Sequence, residues 1–271
     1  MVSVVILTLN EERDLPRCLA SLHDCDDIVV LDSGSTDRTS EIAREAQARV
    51  IVNPFKNFAV QRNFAQEHIA FRHPWVMHLD ADEMMTPELW AECLAVAQEN
   101  DGAVDGYWIA PKMMFHGRWI PHCTDYPAYQ ARLVRAPRFR FIEVGHGQRE
   151  APDMRLRPLR ANYLHDLSSG GDEDWLAKHR RYAQAEAREQ RQDLAAGGFS
   201  ELFAKDALRR RRALKRLSFK LPCRPWLRFA YQYVLRGGFL DGAPGWRYCR
   251  LLMRYEQFID EAKRSFNRAA S

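Results

Sequence analysis

The sequence predicts an α/β protein with a mostly parallel sheet flanked by helices and a basic helical C-terminal extension. Three observations lead there. Short apolar runs alternate with helix-period segments over the first hundred residues, the pattern of a parallel sheet covered on both faces. Polar and acidic clusters stand at the ends of three of those runs, where such sheets bind ligands. Charge is also divided: residues 174–271 carry 22 Lys and Arg against 10 Asp and Glu, a net +12, whereas residues 1–173 carry 18 against 26, a net −8.

The elements follow in order. "VSVVILTL" (2–9) reads as a buried strand, and "DLPRCLASLHD" follows with Leu15, Leu19 and Leu22 at helical spacing, Asp14 as the expected cap and Pro16 in the first turn. "DIVVLD" (27–32) is a second strand, and "SGSTDRTSEIAREAQA" turns at Gly34 into a capped helix. "ARVIVN" (48–53) is a third strand, and "VQRNFAQEHIAF" (60–71) a helix with Val60, Phe64 and Ile69 on one side. "WVMHLD" (75–80) is a fourth strand, and "TPELWAECLAVAQE" (86–99) a helix with Thr86 as cap and Pro87 at its first position.

After about residue 103 the pattern changes. "GYWIAPKMMF" (106–115) and "YQARLVRAPRFRF" (129–141) read as strands, and "HGRWIPHCTDYP" (116–127) and "VGHGQREAPD" (144–153) as loops. This part is expected to cover the site rather than extend the sheet. From Asp174 onward "WLAKHRRYAQAEAREQRQDLA" is strongly helical, and residues 221–264 mix helices with a Gly-Pro break at 237–245. Domains are placed at 1–172 and 173–271.

A chain of 271 residues has room for a substantial core and for an enzyme. No apolar stretch approaches the roughly 18–20 residues of a membrane span, and the start has neither a basic n-region nor a cleavage site, so a cytoplasmic location is expected. Cys18, Cys25, Cys93, Cys123, Cys223 and Cys249 form no C-x-x-C pair, which suggests reduced thiols rather than a disulfide frame or zinc knuckle.

"WVMHLDADEMM" (75–85) enters like sheet core and ends in Asp80, Asp82 and Glu83. Three carboxylates in four positions repel one another unless they are solvated or a positive charge sits among them. A dinucleotide fold would need G-x-G-x-x-G after the first strand, but "TLNEERDL" has no glycine, and a P-loop is equally absent. An aspartyl-phosphate phosphatase would need a Thr after its second aspartate. A Mg²⁺ or Mn²⁺ ion, held by one or two carboxylates and otherwise by diphosphate oxygens and water, fits the cluster.

With "VVILTLNEE", "VVLDSGSTDRT", "QRNFA" and "LDADE" in this order, the sequence resembles the family 2 glycosyltransferases of GT-A fold. "FHGRWIPHCTDYPAYQARLVR", "VGHGQRE", "NYLHD" and "RGGFLDGAPGWRY" are similar to the branch that contains lipopolysaccharide-core β-glucosyltransferases. The resemblance implies inverting, metal-dependent transfer of a hexose, glucose above others, from a UDP-sugar to a lipid-linked saccharide. It implies that Thr8, Asn10 and Glu11 line the nucleotide pocket, that Asp32 receives a hydrogen bond from the base, and that Arg62 lies near the diphosphate. Asp80 would approach the ribose, or the metal through water. Asp82 would bind the metal, with His165 completing its shell. Asp32 as a turn cap, Arg62 as a surface arginine and His165 as a core histidine are the structural alternatives.

Inversion needs a carboxylate on the acceptor side to take the hydroxyl proton. The related branch has it in a short loop before the late histidine, and here that loop has extra residues between His146 and Glu150. Glu150 is the position expected, Glu143 the alternative if the register slips, and Asp125 a third candidate. Glu150 beside Arg149 also reads as a surface ion pair.

The basic tail, with "LRRRRALKR" at 208–216, reads either as a solvated helix face or as an anion-binding surface. "FKLPCRPWLRFAYQYVLR" (219–236) interleaves aromatics with Lys220, Arg224, Arg228 and Arg236, a composition suited to an anionic membrane interface or to a helical lid. The first reading puts the protein peripherally on the inner face of the inner membrane. Nucleic acid is disfavoured as a partner, because the aromatics fall in a helical pattern rather than on strands that stack bases. A non-enzymatic nucleotide-binding module docked on a membrane and a nucleotide-sugar pyrophosphorylase are the alternative functions.

Overall fold

The structure is a computed structural model that describes residues 1–99, 101–144, 147–196, 206, 210, 213, 218, 219, 221 and 223–269. His146, Lys220 and most of the basic run at 208–216 lie outside the described residues.

Elements alternate through the first hundred residues: β1 (Ser3–Thr8), α1 (Leu15–Ala20), β2 (Ile28–Asp32), α2 (Thr39–Glu45), β3 (Arg49–Val52), α3 (Phe58–His68), β4 (Trp75–Asp80), β5 (Glu83–Met84) and α4 (Pro87–Glu99). A strand-rich stretch follows: β6 (Gly106–Ile109), β7 (Pro111–Phe115), β8 (Arg118–Trp119), β9 (Gln130–Arg135), β10 (Phe141–Val144), β11 (Gly147–Glu150), β12 (Leu156–Pro158) and β13 (Tyr163–Asp166). Helix α5 (Gly171–Ala196), a short helix Arg224–Ala230 and a long helix Gly242–Ala269 complete the described chain.

Chain contacts divide these elements into two compact units. The first comprises 1–119 and 125–169, the second 120–124 and 170–271.

In the first unit a seven-stranded sheet runs β12-β6-β9-β4-β1-β2-β3. β1 is parallel to both β2 and β4, and β2 to β3. Sequence order reverses direction across the sheet between β1 and β4, the topological switch where open α/β sheets bind ligands. Both faces of β1 are buried: Val4 and Ile6 join Leu79, Leu89 and Cys93 on one side, while Val5 and Leu7 join Val29, Leu31 and Val76 on the other. Burial on both faces is why this strand reads as a continuous apolar run rather than an alternating one. The mainly parallel sheet with flanking helices is the expected GT-A class of fold, and the described C-terminal part is helical.

Several expectations need correction. Residues after 103 do extend the sheet: β9 enters antiparallel between β4 and β6, and β12 pairs with β6. "GYWIAPKMMF" splits at Ala110 into two strands of different sheets, β7 joining β5, β13 and β8. The expected loop at 144–153 carries β11, which pairs antiparallel with β10. Asp14 makes no side-chain cap on α1 and bonds Arg17 and Ser169 instead. Helix α3 packs Phe64 and the following Ile69 on the core as expected, but Val60 is exposed, and Gln61, Arg62 and Gln66 are also buried, with Ala59 and Ala65. Apolar spacing did not show that the buried side is largely polar. The caps of α3 and α4 are ordinary ones, Asn57 accepting from Val60 N at 2.8 Å and Thr86 Oγ1 from Leu89 N at 3.2 Å.

In the second unit α5 packs on the long helix through Ala183 and Ala187 against Phe258, Ile259 and Ala262. Small residues on one helix face aromatic and branched ones on the other, which lets the two helices approach closely.

Candidate active site

Sheet register brings the three polar strand ends together. Thr8, the last residue of β1, lies opposite Asp32, the last of β2, and Leu7 lies opposite Asp80, the last of β4. Thr8 Oγ1 donates to Asp32 Oδ1 at 2.9 Å. The other Asp32 oxygen accepts from the backbone N–H groups of Gly34 and Ser35, so this buried carboxylate closes the turn after β2. The loop after β1 is stitched to that turn. Asn10 holds a left-handed backbone with φ of 58° and accepts from Thr36 N at 2.8 Å, while Glu11 N donates to Thr39 Oγ1 at 2.7 Å. Asn10 is exposed and Glu11 half-buried.

Beyond β4 the carboxylates meet two buried arginines. Arg62 of α3, 1% exposed, donates from Nη2 to Asp80 Oδ1 at 2.8 Å, and Arg132 of β9, 2% exposed, donates from Nη2 to Asp80 Oδ2 at 3.1 Å. Arg132 also reaches Glu83 Oε1 at 2.5 Å and the Tyr163 hydroxyl at 3.2 Å. Glu83 is fully buried and accepts from Asp80 N at 2.9 Å, which clamps the turn between β4 and β5. Burial opposes ionisation of Asp80, but Arg132 and Arg62 overcome it and hold its carboxyl well below the usual range. Burial and the neighbouring Asp80 charge push Glu83 up, against the pull of Arg132.

Asp82 is differently placed. It is half-buried in the turn, and its Oδ2 lies 3.4 Å from His165 Nε2. Pairing of β13 with β5 sets His165 opposite Glu83, and this brings the histidine to the acidic turn. Burial disfavours the imidazolium, but Asp82 outweighs it and the His165 pKa rises to about 9.

Among the described residues no three His, Cys, Asp or Glu side chains form a ready metal site. Asp82, and His165 once its proton is displaced, nevertheless fit a divalent ion whose remaining positions come from diphosphate and water, since such ions need only one or two protein ligands. Both Asp80 oxygens already face guanidiniums. Two Arg62 nitrogens, Nε and Nη1, are buried without a hydrogen-bond partner, donors suited to an anionic group.

Glu143 and Glu150 stand on the β10–β11 hairpin, Glu150 opposite Phe141. That hairpin is tied to α3: Asn57 Nδ2 donates to Glu143 Oε2 at 3.0 Å, and the Asn63 amide brackets the Phe141 backbone with two bonds of 2.8 Å. Glu150 is half-buried and Glu143 exposed. Asp125 lies on an exposed loop residue. Thus Thr8 meets Asp32, Arg62 meets Asp80, and Asp82 meets His165, while the candidate bases sit on a separate element.

Sequence reasoning missed Arg132 and Tyr163. The signal for Arg132 was an arginine inside the apolar run "ARLV", because a charge in a buried strand needs a carboxylate partner.

A largely parallel sheet whose switch point carries an acidic turn braced by arginines is the setting of a ligand-binding α/β enzyme. Residues 3–153 match the family described as glycosyl transferase family 2, and the chain belongs to that family. It is 37% identical over 109 residues to the lipopolysaccharide core biosynthesis glycosyltransferase LpsC of Rhizobium meliloti, covering 37% of this chain and 40% of the relative. It is 34% identical over 118 residues to an uncharacterized glycosyltransferase of Rickettsia typhi, covering 43% and 40%. The chain thus spans about two fifths of the length of these curated relatives. Among solved structures it is similar to glucosyl-3-phosphoglycerate synthase from Mycobacterium tuberculosis in complex with Mn²⁺, UDP and glucosyl-3-phosphoglycerate, at 25% identity, 43% and 44% coverage and a TM-score of 0.33. S. aureus TarS is similar at 18% identity, 92% and 54% coverage and a TM-score of 0.43. No described helix is long and apolar enough to cross a membrane.

Proposed function

We propose that the protein transfers a hexose, glucose above others, from a UDP-sugar to a lipid-linked saccharide such as the lipopolysaccharide core, with inversion at the anomeric carbon. The observation that carries this reading is the division of labour in the acidic turn: Asp80 is locked between Arg62 and Arg132, whereas Asp82 is left beside His165. The family supports transfer of a sugar, and the relative named for lipopolysaccharide core biosynthesis supports a saccharide acceptor.

In this reading Thr8, Asn10 and Glu11 line the nucleotide pocket, and Asp32 receives the base. Arg62 offers its buried N–H groups to the diphosphate, and Asp80 faces the ribose while holding both arginines in place. Asp82 and His165 would hold a Mn²⁺ or Mg²⁺ ion, which would supply charge neutralisation for the leaving diphosphate. Glu150, or Glu143 in the shifted register, takes the proton of the acceptor hydroxyl as its oxygen bonds to the anomeric carbon. The bond from that carbon to the diphosphate breaks on the opposite face, and UDP leaves. The lipid anchor of the acceptor puts the reaction at the cytoplasmic face of the inner membrane.

The test is a donor panel: purified protein with Mn²⁺ releases nucleoside diphosphate from one UDP-hexose, and EDTA abolishes release. Equal release with and without EDTA, or none from any nucleotide sugar, refutes the proposal.

A further inference from the structure

The second unit shows an inverted amphipathic pattern. In the helix Arg224–Ala230 and the wider turn Tyr231–Leu235 that continues it, Trp226, Leu227, Tyr231, Val234 and Leu235 all face solvent, Trp226 at 63% and Leu235 at 78% exposure. Leu227, Tyr231 and Leu235 recur every four residues, and Trp226 and Val234 flank them. The polar Gln232 is the buried residue of this turn, at 3%, with its Nε2 donating to the Cys123 carbonyl. In an ordinary surface helix the polar and apolar positions would be exchanged.

The exposed apolar residues continue into the next turn. Phe239 and Leu240, on the 3-10 turn Gly238–Asp241, are exposed, as is Trp246 at the start of the long helix. Rings join these elements: Phe229 meets Tyr233 at 5.3 Å and Trp246 at 5.1 Å, and Tyr233 meets Phe239 at 6.3 Å. The turn is rigidly held beneath, because Asp241 accepts from His122 N, Cys123 N and His122 Nδ1. A contiguous apolar surface of this kind is uncommon on a soluble monomer and marks an interaction site.

Charge identifies the occupant. Arg224 and Arg247 are taken up by Glu256 and Asp172, but Arg250 is exposed one turn beyond Trp246 and Arg228 stands half-buried beside Leu227, so the apolar face is flanked by positive charge, which a negatively charged sheet of headgroups would attract. Exposed Trp226, Tyr231 and Trp246 beside exposed Leu235, Phe239 and Leu240 are the residue types that favour a bilayer interface. We infer that this face, centred on Leu235, Phe239 and Leu240, inserts into the headgroup layer of an anionic lipid bilayer. The inference deepens the proposed function by giving the enzyme of a lipid-linked acceptor its own membrane contact.

The test is co-flotation of the full chain with phosphatidylcholine vesicles and with mixed phosphatidylcholine–phosphatidylglycerol vesicles, with neither donor nor acceptor present. Binding is expected to the mixed vesicles only, and to weaken with added salt. Leu235→Glu with Leu240→Glu is expected to lower partition about tenfold or more, with an unchanged circular dichroism spectrum and unchanged UDP-hexose turnover. Val52→Glu, which replaces an equally exposed apolar residue of the first unit, is expected to change nothing in vesicle binding. Absence of binding to mixed vesicles, equal binding by the double variant, or a dimer that the double variant dissociates would overturn the inference. Vesicle binding without sugar-nucleotide turnover would instead count against the proposed function alone.

Discussion

The guanidinium of Arg132 spans from Asp80, at 3.1 Å, to Glu83, at 2.5 Å, and so joins an antiparallel strand of the sheet to both ends of the acidic turn. Arg132 makes this contact from inside the core, where an unpaired charge is costly. Replacing Arg132 by Gln is expected to lower stability by about 3 kcal/mol, because the buried Glu83 loses its guanidinium and the half-buried Asp80 one of its two. Chemical denaturation checks the figure. Tyr163→Phe, which removes one neutral hydrogen bond to the same guanidinium, should cost only about 1 kcal/mol.

Asp80 and Asp82 should separate by variant. Asp82→Ala removes the half-buried carboxylate that keeps His165 protonated, so at neutral pH the protein should melt somewhat below the parent, but less so than Asp80→Asn, while turnover falls about a hundredfold or more. Asp80→Asn leaves both Arg62 and Arg132 short of a counter-charge. It should lower the melting temperature clearly, with a smaller direct effect on turnover. Thermal scans beside steady-state kinetics decide; near-normal turnover in Asp82→Ala would remove the metal role assigned to it.

The candidate bases call for one paired experiment. Glu150→Gln keeps shape, so transfer should drop by about two orders of magnitude or more with nucleotide affinity unchanged in calorimetry. Glu143→Gln keeps an oxygen that can accept from Asn57 Nδ2 and should retain activity. The reverse result would move the base to Glu143.

Asp27 gives a pH prediction for stability. It is buried and accepts from Ser3 Oγ at 2.6 Å, Arg72 N at 2.8 Å and Arg49 Nη2 at 2.8 Å. Burial opposes its ionisation, but these donors prevail and lower its pKa. A carboxylate with a depressed folded pKa stabilises above its unfolded value, near 4, and that contribution fades as pH falls through the folded one. Asp27→Ala should therefore cost about 2–3 kcal/mol at pH 7, and the gap to the parent should narrow below about pH 4. Urea titrations at both pH values measure it; a gap independent of pH would show that the carboxylate charge contributes nothing.

Much of the first hundred residues was legible in the sequence, because burial on both faces writes β1, β2 and β4 as apolar runs, and α1, α3 and α4 begin with a proline or a cap. β1 to β4 and α4 fall where "VSVVILTL", "DIVVLD", "ARVIVN", "WVMHLD" and "TPELWAECLAVAQE" put them. The acidic strand ends, the family and the candidate residues followed from the same runs. The tertiary structure alone decided how the charges are matched. Arg62 and Arg132 come from a helix and an antiparallel strand to meet one carboxylate at the end of β4, and the register of β9 on β4 has no local signature. The buried polar residues of α3 went unseen for the same reason: periodicity reports where apolar side chains such as Phe64 and Ile69 gather, and Gln61, Arg62 and Gln66 are polar. The hairpin of β10 and β11, read as a loop, forms by cross-strand pairing between short segments with weak alternation. In the second unit the composition announced aromatics and arginines, but only the packing that buries Gln232 and turns Leu235 outward determined which of them meet solvent. Local pattern sets which elements form; the pairing of polar groups is a property of how those elements meet.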